Sequence, residues 1–178
     1  MNMTIPGPVR IPISAEYRRV IAKQIAGLHA ASWKRAYRGL FSADYLARDV
    51  DSERLQYWQK RIDALATGSG EIFLATVARK PAGFLCIDGD TDPAWGAFID
   101  NLHVLPPWQG RGIGGELLAH AADWARARDY QQLYLWVFAR NRAARDFYGR
   151  AGWLEAERQV HDIPGGGCLQ ALRMIRPV

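Results

Sequence analysis

Gln109-Gly110-Arg111-Gly112-Ile113-Gly114-Gly115 stands between a run of strand formers, Ala97 to Leu105 (AFIDNLHVL), and a run of helix formers, Glu116 to Arg128. Pro106 and Pro107 end the strand, because each fixes φ and neither carries a backbone donor. Glycines at 110, 112 and 114 let the chain turn tightly and let an anion approach the backbone, while Arg111 adds a cation. A glycine turn between strand and helix gathers several N–H groups at the positive end of a helix dipole, which is phosphate-binding geometry. A glycine-rich connection without a ligand is the plainer reading, but three alternating glycines at a helix start are costly without a use.

Gly110 to Gly115 also spells G-x-G-x-x-G, so a dinucleotide turn has to be weighed. Such a turn puts its first glycine almost directly after the strand and an acidic residue about 20 positions further on. Here Pro106-Pro-Trp-Gln109 intervenes, and the next strand runs through Leu135-Trp-Val-Phe138 into Arg140 with no acid. No P-loop lysine follows either, since Glu116 comes after Gly115. The turn is read as a phosphate cradle of another kind.

Outward from this point the periodicity is clear. Toward the N-terminus, Val9 to Ser14 reads as a short strand with Ser14 as helix cap, and Ala15 to about Tyr37 as an amphipathic helix ended by Gly39. Ser42 caps a short turn through Leu46, and Asp51 or Ser52 opens a helix to about Ala66. Glu71 to Val77 and Ala82 to Asp88 read as a hairpin joined through Arg79-Lys80-Pro81. Toward the C-terminus, Leu133 to Phe138 is a strand and Asn141 caps a helix that Gly152 ends. Leu154 to His161 and Leu169 to Ile175 are two last strands around Pro164-Gly165-Gly166-Gly167. This order implies an α/β chain, 1–178 as one domain, with a central mixed, mostly antiparallel sheet and helices on both faces.

With 178 residues, 49% hydrophobic and 23% charged, the chain can bury a core without metals or disulfides, so disordered and fibrous classes are excluded. Cys86 and Cys168 belong to no C-x-x-C or Cys/His cluster and are expected as buried, reduced thiols with no metal. No apolar run approaches the roughly 18 residues of a membrane span, and Met1 to Arg10 lacks a charged n-region and an apolar h-region, so a cytoplasmic location is expected. The net charge of +5 comes almost wholly from arginine, the lysines being Lys23, Lys34, Lys60 and Lys80. Arginine suits phosphate contacts. A charge of +5 over this length is otherwise a solvated surface, so nucleic acid is not the expected partner.

A second signature follows the first: Trp136-Val-Phe-Ala-Arg-Asn141-Arg-Ala-Ala-Arg145-Asp-Phe147-Tyr148-Gly-Arg-Ala-Gly152-Trp153. Together with Gln109, Gly112 and Gly114 behind Leu102-His-Val104-Leu-Pro106, it resembles the two central motifs of the GNAT superfamily of N-acetyltransferases. Leu28-His-Ala-Ala-Ser-Trp33-Lys-Arg-Ala-Tyr37-Arg-Gly39 is similar to a common opening of bacterial members. The resemblance spans most of the chain.

That resemblance implies the GNAT-like acyl-CoA N-acyltransferase fold and acetyl-CoA as cosubstrate, with a direct ternary-complex transfer to a primary amine such as a small molecule, an antibiotic or a protein N-terminus. The pyrophosphate would rest on the amides of Gln109, Gly110, Arg111, Gly112, Ile113 and Gly114. Pantetheine would pair with the strand backbone at Leu102, His103 and Val104, below a bulge expected at Asp100-Asn101. Asn141 would bond the pantetheine arm as well as cap its helix, and Arg145 would reach CoA from the same face, its plainer reading being a surface residue. Tyr148 matches the family's general acid, since a phenol with an ordinary pKa near 10 can protonate a departing thiolate.

The base is where the match departs. Many relatives carry Glu six residues before the motif's Val, and here that position is Phe98. Asp100 takes the same face in a regular strand and is the candidate base, beside the reading of a structural aspartate; with a bulge, His103 or Asn101 faces the substrate instead. Trp33 and Tyr37, with Trp58, line an acceptor pocket or fill an apolar helical stripe, and His29 shares that ambiguity. Gly165 to Gly167 is expected as a flexible rim. Relatives are often dimers, so a homodimer is one expected assembly. Phe98 also motivates a different reading, a non-catalytic acyl-CoA sensor or scaffold, and the arginine content a third, an RNA-binding protein.

Overall fold

The computed structural model describes residues 9–10 and 18–178. Its strands are β1 (Val9–Arg10), β2 (Gly70–Val77), β3 (Lys80–Asp88), β4 (Ala97–Val104), β5 (Gln132–Phe138), β6 (Leu154–Asp162) and β7 (Cys168–Pro177). Helices α1 (Arg18–Ala36), α2 (Val50–Leu65), α3 (Ile113–Arg126) and α4 (Arg142–Arg150) pack around them. The strands form one seven-stranded sheet in the order β1-β2-β3-β4-β5-β7-β6, in which β4 and β5 are parallel and every other pair antiparallel.

Alternation along β2 and β3 builds a layer on each face of the sheet. Ile72, Phe84 and Cys86 pack with Ile21, Ile25, Trp58 and Ile62 of α1 and α2. Phe73, Leu85 and Ile87 pack with Leu117, Leu118 and Ala121 of α3, and α4 adds Tyr148 to that same layer. A third cluster, with Phe41, Tyr45 and Leu46 at its centre, joins the 41–50 segment to Tyr37, Phe138 and Ile163. The mixed sheet with helices on both faces is thus as expected, and a one-turn 3-10 helix, Pro93–Trp95, is an addition.

Several boundaries moved. The Ser14 cap and the first helical residues from Ala15 lie outside the described residues. Val50–Leu65 starts one residue before the expected Asp51, running on from a π-helical turn, Tyr45–Asp49. Helix α3 begins at Ile113, within the glycine turn itself, because Gly112 at φ 87° reverses the chain there. Cys86 is buried but Cys168 is exposed, contrary to expectation, since it follows the glycine turn at the edge of β7. The 165–167 turn is exposed; a Cβ on Gly165 would meet Tyr45 Cβ at 2.7 Å, whereas Gly166 and Gly167 face open space.

The feature that makes a site is the parting of β4 from β5. They pair only at Ala97↔Leu133 and Phe98↔Tyr134, and β5 turns to β7 for the rest of its length. On its other edge β4 pairs with β3, and the register skips one residue: Ile87 faces Ile99 while Cys86 faces Asn101. Asp100 is the extra residue, a bulge at the expected Asp100-Asn101 step.

Candidate active site

A cleft of about 500 Å³ opens where β4 and β5 part. One wall is β4 from Ile99 to Val104, another is β5 from Leu135 to Val137, and α1 contributes Ser32 and Trp33, with Tyr37 from the turn that follows it. The glycine turn and one face of α4, from Ala143 to Arg150, close the remaining side. Leu105 N–H bonds Ala82 of the β3 side at 2.8 Å, so by strand alternation Val104 and Leu102 turn their backbone groups toward β5. Past Phe98, β5 offers them no pairing. The side-chain amide of Gln109 donates to the Val104 carbonyl at 2.8 Å, tying the turn to the strand end.

Each glycine of the turn has its own physical reason. Gly110 and Gly112 lie at φ 72° and 87°, a left-handed conformation that costs a side-chain-bearing residue about 1–2 kcal/mol, and a Cβ on either would point into open space. Gly114 is helical, but a Cβ on it would come within 2.9 Å of the Phe147 ring. Helix α3 has no side-chain cap, so its first N–H groups remain available to a ligand. Arg111 is exposed with its guanidinium 5.1 Å from the Trp108 ring centre.

Across the cleft, Asn141 Oδ1 accepts the Ala144 N–H at 3.2 Å and caps α4. One helical span later Tyr148 is buried, its ring 5.2 Å from Phe147 and 5.7 Å from Trp153. Burial, with the neighbouring Tyr37 phenol, pushes its pKa well above the ordinary 10. Tyr37 itself is pushed up to about 12 by burial, which its contact with Asn141 partly offsets.

The β4 wall carries the polar groups of the other end. His103 Nδ1 and Ser32 Oγ are 2.9 Å apart. Behind His103, at 4.5 Å between ring centres, His29 takes a hydrogen bond from Trp58 Nε1 at 2.9 Å. That bond fixes the proton of neutral His29 on Nε2, which is buried without a partner among the described residues. Asp100 Oδ2 accepts from the Tyr57 hydroxyl at 2.6 Å and from Arg61 Nε at 3.1 Å, and Arg61 also holds Asp88 at 2.7 Å.

Residues 30–153 match the Acetyltransferase (GNAT) family. The chain belongs to this family. It is similar to an uncharacterised N-acetyltransferase of Methanocaldococcus jannaschii, 35% identical over 127 residues that make up 69% of this chain and 54% of the other. The chain thus spans about half the length of that relative. An aminoglycoside N(6')-acetyltransferase type 1 of Stenotrophomonas maltophilia is 27% identical over 146 residues, 78% of this chain and 89% of that one. Among solved structures, the PaiA N-acetyltransferase from Thermoplasma acidophilum in complex with coenzyme A superposes with a TM-score of 0.72 at 18% identity, covering 99% of this chain and 100% of that one.

Against the GNAT motifs, most of the sequence-derived positions meet at this cleft: Asp100, Leu102, His103, Val104, Gln109, Gly110, Gly112, Ile113, Gly114, Asn141 and Tyr148 line it, as do Trp33 and Tyr37. Arg111 and Arg145 do not line it. Arg145 is folded back to bond the Ala139 carbonyl at 3.1 Å, whereas Arg150, which the sequence reading passed over, does line it. Ser32 and Trp136 were also missed. For Trp136 the signal was strand alternation beside the buried Leu135 and Val137; for Ser32 there was none, since its place depends on how α1 crosses β4. Trp58 is core, and Phe98 fills the position of the family's Glu by stacking on Tyr134 at 4.8 Å.

Proposed function

We propose that the chain is an acetyl-CoA-dependent N-acetyltransferase that passes the acetyl group directly to a primary amine, with Tyr148 as the acid. The observation that carries this reading is the position of Tyr148 on the cleft wall between the free β4 edge and the uncapped glycine turn, held in its protonated form. The cleft suits the donor: glycines without Cβ leave room for phosphates at the start of α3, and the Leu102 and Val104 backbone is open to a strand-like arm. The coenzyme A held by the Thermoplasma neighbour supports the same donor. Acetyl-CoA supplies a thioester, whose acyl carbon the amine attacks.

The Val104 N–H, facing the parting of the strands, is suited to stabilise the oxyanion that forms. Tyr148 then gives its proton to the departing sulfur, and its raised pKa keeps that proton in place until the thiolate develops. Asp100 is occupied differently from a free base: its Oδ2 already accepts from both the Tyr57 hydroxyl and Arg61 Nε, so it is held as an anchor between α2 and β4. The reading therefore needs no dedicated carboxylate base and takes the amine in its neutral form.

Calorimetric titration with acetyl-CoA, beside NADP as a competing dinucleotide, tests the donor. Micromolar binding of acetyl-CoA alone, followed by amine-dependent release of free thiol, is expected. Binding with no thiol release from any amine would favour the sensor reading that Phe98 motivates, and no binding would remove the donor assignment altogether.

A further inference from the structure

The bulge at Asp100 changes which side chains of β4 reach the acceptor end of the cleft. Ile99 shares its side of the sheet with Ile87, in the α3 layer. After the extra residue, Asn101 pairs with Cys86 and His103 with Phe84, both in the layer under α1 and α2. His103 is thereby turned to Ser32 of α1, and its ring is fixed by His29 at 4.5 Å and Phe84 at 5.4 Å. Ser32 takes Nδ1, and Nε2 has no protein partner among the described residues. Both His103 and Ser32 line the cleft.

We infer that the His103 side chain binds the acceptor amine: Nδ1–H donates to Ser32 Oγ, and the Nε2 lone pair accepts an N–H of the incoming amine, aiming the nitrogen lone pair at the thioester carbon. The inference rests on the acetyl-transfer reading and deepens it, since the His103 backbone, expected from the sequence to meet pantetheine, turns instead to β3 and leaves that reading no role for His103. An attacking amine must be neutral, and a partner for it must offer a lone pair without adding a positive charge. His103 meets that condition. Burial and then the Arg54 guanidinium hold its pKa down to about 3, so the ring is neutral wherever the amine is. Arg54 is itself buried and stacked 4.2 Å over the ring of Trp33, which lines the cleft, so this charge is held in place behind the cleft wall. The proton that nitrogen loses on forming the amide goes to solvent, and His103 ends the cycle in the tautomer in which it began.

Two measurements test this. In protein carrying 15N-labelled histidine, the ring shifts of His103 report its tautomer without any substrate: a protonated Nδ1 is expected, and a protonated Nε2 would overturn the inference, because it would point a donor at the amine's lone pair. This arm stands even where thiol release, and with it the acetyl-transfer reading, fails. Kinetics is the second arm, using the best amine from a panel of spermidine, an aminoglycoside and short peptides with free N-termini. His103→Phe is expected to lower kcat/KM for the amine about 10- to 100-fold, with acetyl-CoA affinity unchanged. His103→Asn, whose amide oxygen can accept the same N–H, is expected to recover part of that loss, and Ser32→Ala to lose about 3- to 10-fold. Equal losses in the Phe and Asn variants, a parallel fall in acetyl-CoA affinity, or a Phe variant indistinguishable from wild type would each overturn it.

Discussion

Trp153 N–H donates to the Tyr148 carbonyl at 3.1 Å, and the rings of the same two residues lie 5.7 Å apart. With Gly152 N–H bonded to Gly149 at 3.1 Å and Gly152 at φ 81°, this is a Schellman end to α4. The Gly-aromatic pair after the tyrosine therefore has a mechanical meaning: it terminates the helix and sets the face on which Tyr148 stands. Gly152→Ala meets no atom, so only its backbone conformation is penalised, and a loss of about 1 kcal/mol in chemical denaturation is expected. Trp153→Ala should lower kcat more than Trp153→Phe at equal acetyl-CoA affinity, as single-turnover measurements can read.

Removing the phenol itself separates enzyme from binding module. Tyr148→Phe should reduce kcat about 100-fold or more while calorimetry finds acetyl-CoA affinity unchanged. Because the folded-state pKa of Tyr148 lies above the ordinary 10, kcat in the wild type should show no basic limb below pH 9. A descending limb centred near pH 8 would exclude Tyr148 as the acid.

Asp100→Asn distinguishes a base from an anchor. The substitution removes the charge that Arg61 and Tyr57 share but keeps the side chain's size. Breaking a partly buried pair by one member costs stability, here expected as a lowered denaturation midpoint, with kcat reduced less than about 10-fold. A loss of two orders of magnitude in kcat with an unchanged midpoint would return the role of base to Asp100.

Gly114→Ala sets a methyl 2.9 Å from the Phe147 ring, so that ring, or α4 with it, must give way. A loss of about 1–3 kcal/mol is expected from the overpacking, and the second substitution Phe147→Leu should recover part of it. Gly112→Ala, by contrast, has nothing to relieve, and Phe147→Leu should leave its cost unchanged in a double-mutant cycle.

His29 and His103 link stability to pH. The folded-state pKa of each lies below the ordinary 6.5, so the unfolded chain binds protons that the folded chain does not. Stability is then fully present above about pH 7 and falls as pH drops below 6.5, by up to about 1.4 kcal/mol per unit for each histidine. Urea midpoints between pH 7 and 5 should show this slope, and His103→Asn should make it shallower.

The sequence by itself determined the local events. Periodicity marked helices and strands, prolines ended β4, and glycines at 110, 112 and 152 marked positions where only φ above zero fits. The cap at Asn141 was also legible, because an Asn before a helix acts within a few residues, whereas the bulge at Asp100-Asn101 was expected from the family resemblance, the polar pair giving only its place. What the tertiary structure alone decided involves partners far apart in the chain. Ser32 meets His103 across 71 residues, Tyr57 takes Asp100 across 43, and Arg145 and Arg150 share one short helix although only Arg150 lines the cleft. Such pairings follow from how α1 and α2 cross a twisted sheet, and from a one-residue slip in register that reverses every later side chain of β4. No periodicity within a single segment carries that information.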